Sequence, residues 1–202
     1  MPEIVSPLSV LILWAVVGYL LGSVPFGIVI TRAMGLGDLR AIGSGNIGAT
    51  NVLRTGSKPA ALATFLFDSG KGAVAVLLAR WLAGEDAAQV AALASFVGHC
   101  FPVWLNFKGG KGVATFFGIL FTLAWPVGLA AGATWIVVAA VMRYSSLAGL
   151  TAAGMSPVWA VLLGQGQMVV LAFALALVIY WRHAGNIARL RAGTEPKIGR
   201  KG

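Results

Sequence analysis

The sequence predicts an all-α membrane protein of about seven short transmembrane helices, with the N-terminus outside and the C-terminus cytoplasmic. Three observations carry that reading. First, 58% of the 202 residues are hydrophobic and 10% are charged, against about 25% charged in soluble domains. Such a chain cannot cover a water-exposed surface, so lipid has to solvate much of it. Second, the apolar residues come in runs that approach the roughly 20 residues needed to cross a bilayer. Third, the net charge of +9 is carried in short polar gaps between those runs. It forms no continuous stripe of the kind that binds nucleic acid. The length fits one domain over residues 1–202.

The first span is Leu8 to Ile30. It has no basic leader or small-residue cleavage site, so it is expected to stay as a helix. The second is Pro59 to Leu82, with Ser57 placed to cap it and Pro59 suited to its first turn. Ala87 to Phe101 makes a short third span. The apolar stretch Val113 to Met142 is interrupted by Trp125-Pro126, and proline lacks the amide that would continue the ladder. Two short spans therefore meet there. Leu147 to Leu163 and Met168 to Trp181 complete the set, separated by the uncharged Gly164-Gln165-Gly166-Gln167.

Charge supports this count. With the N-terminus outside, the inner segments hold Arg32, Arg40, Arg54, Lys58, Lys108, Lys111, Arg143, Arg182, Arg189, Arg191, Lys197, Arg200 and Lys201. The outer segments hold Arg80 as their one basic residue, with Glu3, Glu85 and Asp86. That asymmetry is the one expected of cytoplasmic loops. Merging the fourth and fifth spans would send Arg143 outside and reverse the tail. Gly18 with Gly22, and Gly128 with Gly132, have the spacing of close helix packing. Cys100 is the single cysteine, which excludes an intrachain disulfide. It reads as a small apolar filler, because its neighbour His99 points elsewhere on a helix.

The polar residues gather in the inner segments. The first reads GSGNIGATNVLR, Gly43 to Arg54. Its glycines free backbone amides to turn toward an oxyanion. Ser44, Asn46, Thr50 and Asn51 add neutral donors, and Arg54 adds a rigid fork matched to phosphate. The competing reading is a polar connector with a helix cap. The second reads FKGGKGVAT, Phe107 to Thr115. Leu105 stands where a Walker loop has its first glycine, and Gly112 stands where serine or threonine would bind magnesium, so a nucleotide triphosphatase is not indicated. What survives is Lys111 among Gly109, Gly110 and Gly112 at the start of a helix, an arrangement that favours an anion. The plain alternative is a positive anchor in a flexible turn. In the third, Ser145 and Ser146 have the position of helix caps. In the tail, His183 and Asn186 share a helical face.

Asp68 and Lys71 lie inside the second span at a spacing that pairs them. Charge there requires a partner and marks a functional or bracing role. No G-x-S-x-G or H-E-x-x-H motif is present. Asp38 and Glu195 are the acids left for the inner face, a poor supply for a two-carboxylate hydrolase or a metal site. No cofactor, metal or nucleic-acid partner is expected. An organic-phosphate transporter would show two related halves with paired broken helices, and no such halves are visible.

Taken in order, GSVPFG, GSGNIGATNVLR, DSGKG, GHCFPVWLNFKGGKG, Tyr144-Ser145-Ser146 and HAGNIARLRAGTE span nearly the whole chain. Together they resemble the bacterial membrane glycerol-3-phosphate acyltransferases that use acyl phosphate as donor. The resemblance implies transfer of a fatty acyl group from acyl phosphate to the 1-hydroxyl of glycerol 3-phosphate, giving lysophosphatidic acid and inorganic phosphate in the cytoplasmic membrane. It implies essential roles for Ser44 and Arg54, phosphate binding around Lys111, catalytic roles for His183 and Asn186, and a structural role for Glu195. The residues fit that chemistry on their own terms. Both substrates carry phosphate, and acyl phosphate has a good leaving group, so no enzyme nucleophile is needed. The proton acceptor is either His183 or a phosphate oxygen of the donor.

Overall fold

The computed structural model describes residues 1–199; Arg200 and Lys201, counted above with the inner charges, lie outside the described residues. Ten α-helices are present among the described residues, and no strand. The chain divides into two compact units, one over residues 2–123 and one from Ala124 onward.

The first unit opens with α1 (Leu8–Gly22) and α2 (Phe26–Ala33). Pro25 precedes α2 and breaks the hydrogen-bond ladder between them, so the predicted single run is two helices. The short α3 (Ala49–Val52) ends the first polar loop. Next, α4 (Lys58–Ala83) starts as expected, with Ser57 Oγ accepting from the Ala60 amide at 3.3 Å and proline in the first turn. It is followed by α5 (Glu85–Cys100) and α6 (Val113–Leu123). Helix α1 lies along α5 because glycines remove the side chains between them. A Cβ on Gly18 would stand 2.6 Å from the Ala91 carbonyl oxygen, and one on Gly22 would overlap the Ser95 backbone. Between α4 and α6, a Cβ on Gly118 would overlap the Ser69 carbonyl. Small-residue contacts of this kind supply dispersion where lipid removes any hydrophobic drive between helices.

In the second unit, α7 (Trp125–Met142) begins one residue after α6 ends, with extended backbone at Ala124. The break predicted at Trp125-Pro126 is real. It is followed by α8 (Ser145–Leu162), α9 (Val169–Arg182) and α10 (Ala184–Arg191). Three of the 18 residues of α7 are buried, and Val141 is 72% exposed, as lipid-facing helices allow.

The span count differs from seven. Five helical stretches are long and apolar enough to cross a membrane: Leu8–Ala33, Lys58–Ala83, Glu85–Leu105, Trp125–Met142 and Ser145–Leu162. A sixth is Gly166–Arg182 taken with Ala184–Arg191, bent by 63°. Helix α6 has 11 residues, about 16 Å of rise against a hydrocarbon core of about 30 Å.

Candidate active site

In the first unit, the loop before α4 has its own small core. Leu39, Ile47 and Val52 pack with Ile28, Ala60 and Ala61, and Leu105 joins from the second polar segment. Ile47 seats the loop on α2, where its carbonyl occupies the space a Cβ on Gly27 would need.

Asn51 organises what lies above that core. Its Nδ2 donates to the Leu39 and Ile42 carbonyls at 3.0 and 2.9 Å. Its Oδ1 accepts from the Ser44 amide at 3.1 Å, the Ser44 hydroxyl at 3.4 Å and Arg54 Nη1 at 3.5 Å. The buried amide is thus committed to the loop, contrary to the expectation that Asn51 is a free donor. Ser44, Thr50 and Arg54 are exposed and Asn46 is half-buried. Gly43 takes a φ of 54°, and any Cβ there would stand 2.5 Å from Arg54 Nη1, so glycine lets the guanidinium lie across the turn. Asp38 caps a neighbouring turn, and the Arg40 backbone amide first, with the Arg40 charge, holds its carboxyl below the usual range.

The second polar segment folds back on the end of α5. Asn106 and Phe107 adopt left-handed backbone at φ 50° and 61°, a conformation non-glycine residues seldom take outside functional sites. The Gly109 amide then donates to the Cys100 carbonyl and the Gly110 amide to the His99 carbonyl, both at 3.1 Å. These amides hold the scaffold, which differs from the expectation that Gly109 and Gly110 present them to an anion. Lys111, which is half-buried, follows at the head of α6, where first-turn amides favour an anion. Gly112, at φ 84°, packs against the Phe96 ring.

Asp68 and Lys71 form the expected pair, Nζ to Oδ1 at 2.8 Å, and both are buried. Lys71 also donates to the Val24 carbonyl at the α1–α2 break, at 2.8 Å. In the sequence His99 stands out only as a neighbour of Cys100. It is buried, with Nδ1 3.6 Å from Asp68 Oδ1.

In the second unit, one carboxylate gathers the predicted residues. Glu195 Oε1 accepts from the Ser146 hydroxyl and from Asn186 Nδ2, each at 2.6 Å. Its Oε2 accepts from Arg189 Nε at 2.7 Å. Burial pushes the Glu195 carboxyl up, but those three donors outweigh it and hold the group below its ordinary range. His183 is buried at the α9–α10 bend, with Nδ1 2.8 Å from the Ile179 carbonyl. A carbonyl only accepts, so Nδ1 carries a proton. Ser145, half-buried, opens α8 beside Ser146. Among the described residues, no three His, Cys, Asp or Glu side chains are grouped to hold a metal ion.

Residues 12–193 match the family described as Glycerol-3-phosphate acyltransferase. A glycerol-3-phosphate acyltransferase of a Ruegeria species is 68% identical over 201 residues, covering 100% of both chains. One from Cereibacter sphaeroides is 67% identical over 201 residues, covering 100% of this chain and 96% of that one. Among solved structures, the glycerol 3-phosphate form of PlsY, an integral membrane glycerol 3-phosphate acyltransferase, matches with a TM-score of 0.88 at 38% identity, over 94% of this chain and 96% of that one. The lysophosphatidic acid form of PlsY matches at 0.87 and 36% identity, over 94% and 95%. The chain belongs to the integral membrane glycerol-3-phosphate acyltransferase family and is an enzyme of that class.

Proposed function

We propose that this acyltransferase takes its acyl group from acyl phosphate and delivers it to the 1-hydroxyl of glycerol 3-phosphate by direct displacement, releasing lysophosphatidic acid and inorganic phosphate. The observation that carries the proposal is the placing of both phosphate-type cations, Arg54 and Lys111, on glycine loops, the first held by the buried Asn51 side chain and the second by the His99 and Cys100 carbonyls. Residues 1–202 act as a single acyltransferase domain.

Arg54, with Ser44, Asn46 and Thr50 on the same loop, and Lys111 at the head of α6 offset phosphate charge as the leaving group separates. Asn51 is a positioning residue for Arg54 and Ser44. His183, Ser145, Ser146 and Asn186 orient glycerol 3-phosphate, with its 1-hydroxyl proton directed at the donor phosphate. Such alignment is worth about 7–11 kcal/mol of barrier. The hydroxyl oxygen forms the new bond to the acyl carbon. The bond from that carbon to the phosphate oxygen breaks with its electron pair, and the hydroxyl proton leaves on phosphate. Phosphate is an adequate base because its leaving oxygen gains charge as the ester forms.

For topology, the outer N-terminus, the cytoplasmic tail and a seventh crossing by α6 remain our reading. The loop before α6 adds four residues, 109–112, of up to about 3.3 Å each, which brings α6 to the bilayer thickness. The basic segments then face the cytoplasm, and so does the active site.

The test is purified protein given labelled palmitoyl phosphate and glycerol 3-phosphate. Labelled lysophosphatidic acid should form, be lost in Arg54→Ala and Lys111→Ala, and leave no acid-stable label on the protein when glycerol 3-phosphate is omitted. Label on the protein would overturn direct displacement. Glycerol 3-phosphate taken up into sealed vesicles without ester formation would point to transport.

A further inference from the structure

We propose that His99 is a positioning residue for the glycine-rich loop, clamped between the buried Asp68–Lys71 pair and Gly110. The proposal rests on the reading of that loop as a phosphate site.

Three elements meet at the Asp68–Lys71 pair. Lys71 Nζ donates to the Val24 carbonyl at the α1–α2 break, at 2.8 Å. Thr115 Oγ1, in the first turns of α6, donates to the Asp68 carbonyl at 2.9 Å. The His99 ring, near the end of α5, turns Nδ1 toward Asp68 Oδ1 at 3.6 Å, beyond hydrogen-bond length but within ion-pair range. A buried pair of this kind is costly to break, so it fixes the parts attached to it.

His99 then touches the loop twice. Its carbonyl accepts the Gly110 amide at 3.1 Å. Its imidazole edge fills the space beside Gly110, where a Cβ would overlap Nε2 and come within 2.9 Å of Cε1. The ring is 3% exposed, so one residue separates Lys111 from a side chain packed on all sides. The left-handed turn at Asn106 and Phe107 aims the chain into this clamp. Loop placement is therefore inherited from Asp68 through a ring, and not from the loop's own flexible glycines. A loop that must first be ordered loses binding affinity to that cost, which makes such a clamp worth holding in the membrane interior.

The experiment measures KM for glycerol 3-phosphate and for palmitoyl phosphate, with kcat, in the purified full chain. His99→Ala should raise at least one KM by about 10- to 100-fold while kcat changes by less than about threefold. His99→Asn, which restores a polar group at the Nδ1 position facing Asp68, should recover part of that loss. Where His99→Ala does not fold, Gly110→Ala is the second variant; its Cβ displaces the ring and should raise the same KM. Both KM values staying within about twofold of wild type in a folded variant would overturn the clamp. Lys111→Ala measured alongside separates the two readings. If it raises a KM while His99→Ala does not, the loop binds phosphate without this clamp. If Lys111→Ala leaves both values unchanged, the loop is no phosphate site and the clamp falls with it.

Discussion

Replacing Glu195 by glutamine keeps the shape of the side chain and removes one charge, which makes its cost calculable from three contacts. In the best rotamer the amide oxygen still accepts from Ser146 and Asn186, but as a neutral group. Hydrogen bonds to a charged partner are worth about 1.5–3 kcal/mol and neutral ones about 0.5–1.5, so each of these two weakens by about 1 kcal/mol. The amide nitrogen then faces Arg189, donor against donor. Arg189 is 42% exposed, and solvent limits the loss of that ion pair to about 1 kcal/mol or less. The sum is about 3 kcal/mol, or a fall in Tm on the order of 10 °C for a chain of this size. Looser holding of Ser146 and Asn186 should also lower kcat/KM by about 10- to 100-fold. The pH dependence follows from the depressed Glu195 carboxyl. Its contribution is fully present above the unfolded value and disappears as pH falls through the lower folded value. Wild type should therefore lose stability steeply at acid pH, and Glu195→Gln should lack that part of the slope. Thermal unfolding in detergent across pH, with turnover assayed in parallel, provides the check. A variant melting within about 2 °C of wild type with an unchanged acid limb would refute the reasoning.

Other outcomes follow from the same geometry. Arg54→Lys keeps the charge but loses the planar fork, and should lower kcat/KM by about tenfold or more; equal activity would make Arg54 a point charge. Asn51→Ala removes the contacts that hold Ser44 and Arg54, and should impair turnover while Tm falls by only a few degrees, about 1–2 kcal/mol; a larger effect on stability than on turnover would reverse its assigned role. Gly22→Val drives a side chain into the Ser95 backbone and should abolish accumulation of folded protein, as judged by size exclusion in detergent. With Cys100→Ser as background, a cysteine at Ser6 should be labelled from outside intact cells and one at Thr55 should not; the opposite pattern reverses the topology.

Much of the fold is legible in the sequence because its signals are local. Ser57 and Pro59 announce the start of α4, and Pro126 announces the start of α7. Pro25 carries the same signal inside an apolar run, where hydropathy averages across a break that short. The span count suffered from the same averaging. Helix α6 is apolar enough to cross, but its 11 residues alone are shorter than the bilayer core. The candidate residues were legible as types, because phosphate calls for arginine, lysine, small hydroxyls and glycine. Their division of labour was not. Asn51 looks like a ligand in sequence, yet its partners Leu39 and Ile42 come from a turn that only the folded loop creates. Glu195 meets Ser146 across 49 residues, a separation with no periodic trace. The glycine amides at 109 and 110 find their carbonyls only because left-handed residues at 106 and 107 reverse the chain. His99 stood in view within GHCFP, and its partner Asp68 lies a helix away.

The most direct measurement of the account is calorimetric binding of glycerol 3-phosphate and of a non-cleavable acyl phosphonate to wild type, Arg54→Ala and Lys111→Ala. Each variant should weaken at least one phosphate-bearing ligand by about 2–4 kcal/mol, or roughly 30- to 1,000-fold in Kd. Undiminished affinity for both ligands in both folded variants would contradict it.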